Sequence, residues 1–266
     1  MIQTVHQERE DRVISRKTPF LSYSKINRYL LCPEQYRLYY VEHLRPKFPS
    51  ANLVFGQVLH QALASLFQTK GDPVKFFREA WNEVRQIDLT YGKKDSWEKL
   101  LGTGEGLLEK FLIEELPKLG SVHASEKVFE LSITSLDLPF VGVIDLVADV
   151  EGKRTVADFK TSASAYQDHE VVLSDQLTAY QLAEPDAQQT ALCVLVKTKE
   201  PRIEWHHAQR TSVHFTEFLA KARLVGGEIS GARFYKRPGM WCAWCDFLPV
   251  CLGDTKRASE ALVQIR

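Results

Sequence analysis

No stretch of the 266 residues approaches the roughly 20 consecutive apolar residues needed to cross a bilayer. Residues 1–18 (MIQTVHQEREDRVISRKT) are polar and mixed in charge, without the apolar core of a secretion signal. A cytoplasmic location with no membrane partner is therefore the expectation. Neither sign of charge is in surplus: 34 Lys and Arg balance 34 Asp and Glu, which removes the simplest argument for a polyanionic partner. Cysteine is scarce, and five thiols in a cytoplasmic chain do not make a disulfide framework. Internal repeats and low-complexity tracts are missing too, which excludes a solenoid. What remains is ordinary globular composition, 44% hydrophobic and 26% charged, in a chain long enough for a sizeable core.

The charge is not evenly spread. Residues 1–50 carry nine Lys and Arg against five Asp and Glu, mixed with Tyr23, Tyr29, Tyr36, Tyr39 and Tyr40. That mixture could line a path for a single strand of nucleic acid, or make a solvated helix with core aromatics. Ser22 or Ser24 reads as a helix cap, with a break at Pro33. Residues 52–68 read as a helix, since Phe55, Leu59, Ala62, Leu63 and Leu66 recur at helical spacing. Two further helices follow over 73–87 and 97–116. The texture then alternates, predicting strands over 126–135, 139–150 and 153–161. A helix capped by Ser174 (174–183), a buried strand (191–198), a second strand (202–209) and a helix (215–230) complete the order. Such an order fits a mixed α/β or α+β sheet.

Glu151-Gly152 is a two-residue turn signal that sets Val150 opposite Lys153. The same register sets Asp145 opposite Asp158, with Lys160 on their face two residues on. Their neighbours there are Val143, Val147 and Val156. Two carboxylates among valines repel, and burying them costs several kcal/mol without compensation. A divalent cation such as Mg²⁺ or Mn²⁺ would compensate, and a lysine beside it could handle a water or steady a phosphate oxyanion. The three residues could equally form an ionic cluster on a partly exposed sheet. His60 lies mid-helix between Gly56 and Ala64, a small-residue stripe that would let the helix approach a sheet and aim the imidazole at it. Gln176 and Tyr180, four residues apart, share a helix face and could contact a phosphate or orient Lys160.

Cys242-x₂-Cys245-x₅-Cys251 has metal-ligand spacing. Cys32, beside Pro33, is the leading fourth ligand, and Cys193 reads instead as a buried strand residue. Four thiolates fit Zn²⁺ or an iron–sulfur cluster, and spacing does not choose between them. The site would clamp the N-terminal helix to the C-terminal tail.

Six segments, LSYSKINRYLLCPEQYRLYY (21–40), GQVLH (56–60), GVIDLV (142–147), ADFKTS (157–162), QLTAY (176–180) and CAWCDFLPVC (242–251), occur in the order of a known family. The chain resembles RecB-like nucleases of the PD-(D/E)XK superfamily. The nearest branch is the iron–sulfur one, which includes AddB nuclease domains, CRISPR-associated adaptation nucleases and stand-alone RecB-family exonucleases. The resemblance implies a restriction-endonuclease-like mixed α/β core sheet flanked by helices, with an N-terminal helical region and an iron–sulfur-stapled tail. It implies an arm over 1–19 and one nuclease domain over 20–266. That domain divides into a mainly helical part (20–120), a core (121–235) and a cysteine loop (236–253). His60, Asp145 and Asp158, with the Phe159 carbonyl, match the ligands of Mg²⁺ or Mn²⁺. Lys160 matches the catalytic lysine, and Gln176 and Tyr180 match the motif after it. Cys32, Cys242, Cys245 and Cys251 match the ligands of a [4Fe–4S] cluster, with structural Zn²⁺ as the alternative. GVID lacks the proline of the superfamily's name. No GxxxxGK[ST] occurs, so any unwinding motor is expected to be another protein, a separate helicase or a CRISPR adaptation partner. The expected activity is metal-dependent cleavage of DNA, as an exonuclease on single strands or ends. The alternative is a catalytically idle DNA-binding or assembly subunit.

Overall fold

A computed structural model describes residues 19–265, so the expected arm falls almost wholly outside the described residues. The chain divides into two compact units. The first comprises residues 50–131 and 141–218. The second gathers residues 19–49, 132–140 and 219–265. Among the described residues no helix is long and apolar enough to cross a membrane.

The first unit opens with three helices, α3 (Ala51–Thr69), α4 (Pro73–Val84) and α5 (Trp97–Lys110). On α3 the apolar positions Val54, Phe55, Val58, Leu59, Ala62 and Leu63 are buried at helical spacing. Its last turn closes on Lys70 in the left-handed conformation (φ 55°). Asp72 caps α4 by accepting the Val74 and Lys75 N–H groups, with Pro73 in the first turn. Ser96 caps α5 by accepting the Lys99 N–H. The α4 and α5 helices meet closely at Gly104, where a Cβ would lie 2.1 Å from Phe77 Cζ. Trp81 and Trp97 exchange hydrogen bonds, each indole N–H donating to the other's carbonyl. The helices bury one face of the sheet, covering Leu146, Ala148, Ala157, Phe159, Ala191, Cys193 and Leu195. Truncating a fully buried ring there, such as Phe77, costs about 3–5 kcal/mol.

The sheet has five strands in the order β2-β3-β4-β5-β6: Leu119–Leu131, Phe140–Val150, Lys153–Ser162, Gln189–Val196 and Arg202–Ala208. β3 and β4 are antiparallel and joined by the two-residue turn. Glu151 (φ 51°) and Gly152 (φ 77°) are both left-handed, as a type I′ hairpin requires. β4 and β5 are parallel, which demands a crossover. α6 (Asp168–Val172) and α7 (Asp175–Ala183) supply it, with Ser174 capping α7 through the Leu177 N–H. β5 is buried at every residue, as a parallel-paired strand covered on both faces should be. β2 runs over 119–131, and the expected strand end at 132–135 leaves the sheet for a turn instead, with Ser135 left-handed (φ 66°), a conformation a strand does not accommodate.

The second unit is stitched from three separated segments. α1 (Tyr23–Leu31), capped by Ser22, leads through Cys32 into α2 (Pro33–Tyr36) and a wider turn over Arg37–Val41. Tyr29 donates to the Arg233 carbonyl at 2.6 Å, Tyr36 stacks on Phe234, and the Glu34 N–H donates to the Tyr235 carbonyl. Arg237 donates to the Leu30 and Leu31 carbonyls, satisfying the end of α1. β1 (Leu44–Pro46) pairs antiparallel with β7 (Leu262–Gln264). Leu38, Phe247 and Leu262 form a small core beneath them. The unit ends in α8 (Ser212–Ser230, from residue 219 on), a short turn over Met240–Trp244, α9 (Leu248–Cys251) and α10 (Thr255–Ala261).

Candidate active site

The hairpin register is the one the sequence predicts: pairs run from Val150↔Lys153 to Leu146↔Ala157. Asp145 and Asp158 are the next step beyond that last pair. Both are buried, at 3% and 1% exposure. Asp145 Oδ2 accepts the Phe159 backbone N–H at 2.8 Å and lies 3.3 Å from His60 Nδ1. The close approach of α3 makes the second contact possible. At Gly56, one turn before His60, a Cβ would sit 3.0 Å from Thr161 Oγ1, so helix and strand touch through a missing side chain. The Phe159 ring meets the His60 ring edge to face and packs on Phe67 and Phe111, fixing β4 under the helix.

Asp158 is held from two sides. Its Oδ1 accepts from Gln176 Nε2 at 2.8 Å and from the Tyr180 hydroxyl at 3.3 Å. Its Oδ2 is buried and accepts no hydrogen bond of good direction, but Lys160 Nζ stands 2.6 Å away as an ion pair. Gln176 ties the group together, because its Oε1 accepts from Lys160 Nζ at 2.9 Å and its Nε2 also donates to the Tyr180 hydroxyl. Burial pushes the Asp158 carboxyl above the usual carboxylate range. Lys160 opposes that rise, Asp145 adds to it, and His60 opposes it weakly.

The structure thus brings His60, Asp145, Asp158, Phe159, Lys160, Gln176 and Tyr180 into one cluster inside the first unit. Thr161 is a contributor that reading the sequence passed over, and the signal for it was the glycine it faces. Among the described residues, no group of three or more His, Cys, Asp or Glu side chains stands ready-made to hold a metal ion. The donor chemistry nevertheless suits a hard divalent cation. Two buried carboxylates and an imidazole lie together, and one buried carboxylate oxygen is satisfied by an ion pair alone.

Cys32, Cys242, Cys245 and Cys251 all lie in the second unit, each half-buried with a free thiol. Burial raises the Cys251 thiol, Lys236 lowers it, and Cys245, Glu34 and Cys32 raise it further, so these groups share one neighbourhood. Gln35 Nε2 donates to Cys245 Sγ at 3.4 Å, and Lys236 Nζ donates to the Cys251 carbonyl. Cys193 is fully buried in β5, in the first unit. Among the described residues these thiols do not stand ready-made as a metal site either, although thiolates as ligands suit zinc or an iron–sulfur group.

No curated protein matches the chain. A solved structure of a candidate exonuclease from Eubacterium rectale is similar in fold, with a TM-score of 0.52 and 12% identity over 85% of this chain and 92% of that one. A second, of the protein SSO0001, aligns over 94% of this chain and 95% of that one at 11% identity and a TM-score of 0.43. The family model described as the PD-(D/E)XK nuclease superfamily matches residues 20–252. The match takes in the five-stranded mixed sheet flanked by helices and both buried aspartates, and the chain belongs to the PD-(D/E)XK nuclease superfamily.

Proposed function

We propose that the chain is a metal-dependent deoxyribonuclease acting as an exonuclease on single strands or DNA ends. The observation that carries this reading is Asp158, buried to 1% exposure and gripped by Lys160, Gln176 and Tyr180 beside Asp145 and His60. So costly a concentration of charge has a use in phosphodiester chemistry and none in stability. His60, Asp145, Asp158 and the Phe159 carbonyl would hold Mg²⁺ or Mn²⁺. When bound, such a cation supplies charge neutralisation at the scissile phosphate and makes a nearby water more acidic. Lys160, steered by Gln176, orients the attacking water through its ammonium and steadies the negative charge that develops on the phosphate oxygens. Gln176 and Tyr180 fix the Asp158 carboxylate, leaving Oδ2 as its working oxygen. The test is digestion of end-labelled single- and double-stranded DNA with Mg²⁺ or Mn²⁺ by wild type, Asp158→Ala and Lys160→Ala. Loss of cleavage in both variants is expected, and equal activity in all three proteins would remove the hairpin from the mechanism.

For the second unit we propose that Cys32, Cys242, Cys245 and Cys251 hold a [4Fe–4S] cluster, as in the iron–sulfur branch the sequence resembles. Their presence in one unit, on segments about 210 residues apart, supports it. Iron, acid-labile sulfide and zinc assays on purified protein decide it: a colourless, zinc-loaded protein would overturn the cluster in favour of a structural zinc.

A further inference from the structure

Arg210 lies in the link between β6 and α8, within the first unit, and reaches the crossover that carries Gln176 and Tyr180. Its guanidinium acts as a fork. Nη1 donates to the Val172 carbonyl and Nη2 to the Val171 carbonyl, each at 2.6 Å, while Nε donates to Thr190 Oγ1 at 3.3 Å. The two carbonyls close α6, and a helix this short leaves its last carbonyls without partners of its own. A basic side chain is a natural donor to them. Thr190 is the fixed end of the clamp. It is fully buried on β5, paired with Val156 on one side and Ala208 on the other. Its hydroxyl donates to the Ala208 carbonyl at 3.0 Å.

The junction between α6 and α7 has need of such a tie. Val171 is buried, but Val172 and Leu173 stand exposed. The Val171 carbonyl that Arg210 holds also accepts the Ser174 N–H at 3.4 Å, and Ser174 caps α7. Gln176 follows two residues later and Tyr180 one turn beyond it, and both donate to Asp158 Oδ1. A cavity of about 310 Å³, lined by Gln181, Leu182, Ala187, Arg210 and Phe215, runs beside α7. Packing on that side is therefore incomplete and does not by itself lock the helix. Burial pulls the Arg210 pKa down to about 10, and Asp175 in the first turn of α7 opposes the fall. The guanidinium thus stays charged at neutral pH, and a charged donor makes the stronger hydrogen bond.

We propose that Arg210 is a positioning residue: by clamping the end of α6 to β5 it sets where α7 begins, and so where Gln176 and Tyr180 meet Asp158. The proposal rests on the reading of the chain as a DNA nuclease and adds a residue that acts on the site through α7.

The test is a double-mutant cycle of wild type, R210A, Q176A and R210A/Q176A, read by single-turnover cleavage of end-labelled single-stranded DNA in Mn²⁺ at varied DNA concentration. R210A is expected to lower kcat about 10²-fold with KM little changed, since a small displacement of the groups around a catalytic carboxylate is costly. On the Q176A background the same substitution is expected to cost about tenfold less, because the main contact it serves is already gone. A residue that only stabilises the fold costs the same factor on both backgrounds. Amide hydrogen exchange of the metal-free proteins gives a readout independent of cleavage. R210A is expected to speed exchange over 174–183 and to leave β5 as in wild type. Where R210A does not fold, R210K, which keeps the charge and loses the fork, takes its place in both measurements. Where Q176A is too slow to measure, Y180F carries the cycle. Equal costs on the two backgrounds, or wild-type exchange over 174–183, overturns the proposal. If wild type cleaves in that case and Asp158→Ala does not, the nuclease reading survives. Wild type that does not cleave overturns both.

Discussion

Asp158 is where chemistry and stability oppose each other. Burial raises its folded-state pKa above the unfolded value of about 3.9. Asp158 is therefore protonated more easily in the folded chain than in the unfolded one. The stability linked to this group is complete below the unfolded pKa and is lost as pH rises through the folded one. At neutral pH the metal-free protein carries that cost, and a cation would remove it. Asp158→Asn is therefore expected to raise the melting temperature of metal-free protein at pH 7 by a few °C, to do so less at pH 4, and to abolish cleavage. Thermal unfolding in EDTA checks it, and a lower melting temperature would show that the Lys160 pair outweighs desolvation. Lys160→Ala is expected to lower kcat by about 10²–10³-fold with KM little changed, as removal of a group that stabilises charge in the transition state does. Single-turnover cleavage at saturating DNA measures it. At this scale the residue types were readable, because D…DxK, a preceding His and a following Q…Y are a recognisable set. Their bonds were not: that Gln176 bridges Lys160, Asp158 and Tyr180 depends on where the crossover helix lands.

Among elements, the hairpin carried its own register. Glu151-Gly152 signals a turn, the structure closes it with two left-handed residues, and the side-chain period of two did the rest. Glu151 itself is poorly suited to φ 51°, so Glu151→Asn is expected to stabilise the chain by about 0.5–1 kcal/mol with activity unchanged. Denaturant titration would show it, and a destabilised variant would argue against the turn. The α3–β4 contact makes a different prediction. Gly56→Ala gains about 1 kcal/mol of helix propensity but pushes against Thr161 Oγ1 at 3.0 Å. Stability is expected to change little while cleavage falls about tenfold, since a small displacement of a catalytic group is costly. Gly56→Ala with Thr161→Ala should recover most of the activity, and an additive double-mutant cycle would exclude the steric coupling. Elements without a local signal were missed. β1 and β7 are three residues each and pair across more than 200 residues, and α6 is a single turn, so neither has a period to read.

For the whole molecule, the two units separate the two proposed metal chemistries. Mn²⁺ at about a hundred times its Kd is expected to stabilise wild type by about 2.7 kcal/mol. Asp145→Asn should lose most of that increment, as a calorimetric titration with and without EDTA would show. Cys245→Ser is expected to lose the proposed cluster, measured as bound iron and sulfide, and to unfold the second unit at lower temperature than the first. A single cooperative transition in that variant would contradict independent units. The sequence by itself determined the hairpin, the helix caps, the alternation of strands and the identity of the chemical groups, because each is fixed by neighbours within a few residues. Only the tertiary structure decided that α3 comes close enough at Gly56 for His60 to meet Asp145, and that α7 returns to grip Asp158. Those outcomes rest on packing between segments far apart in the chain, where close contact is set by the shapes of both surfaces and local propensity has no say.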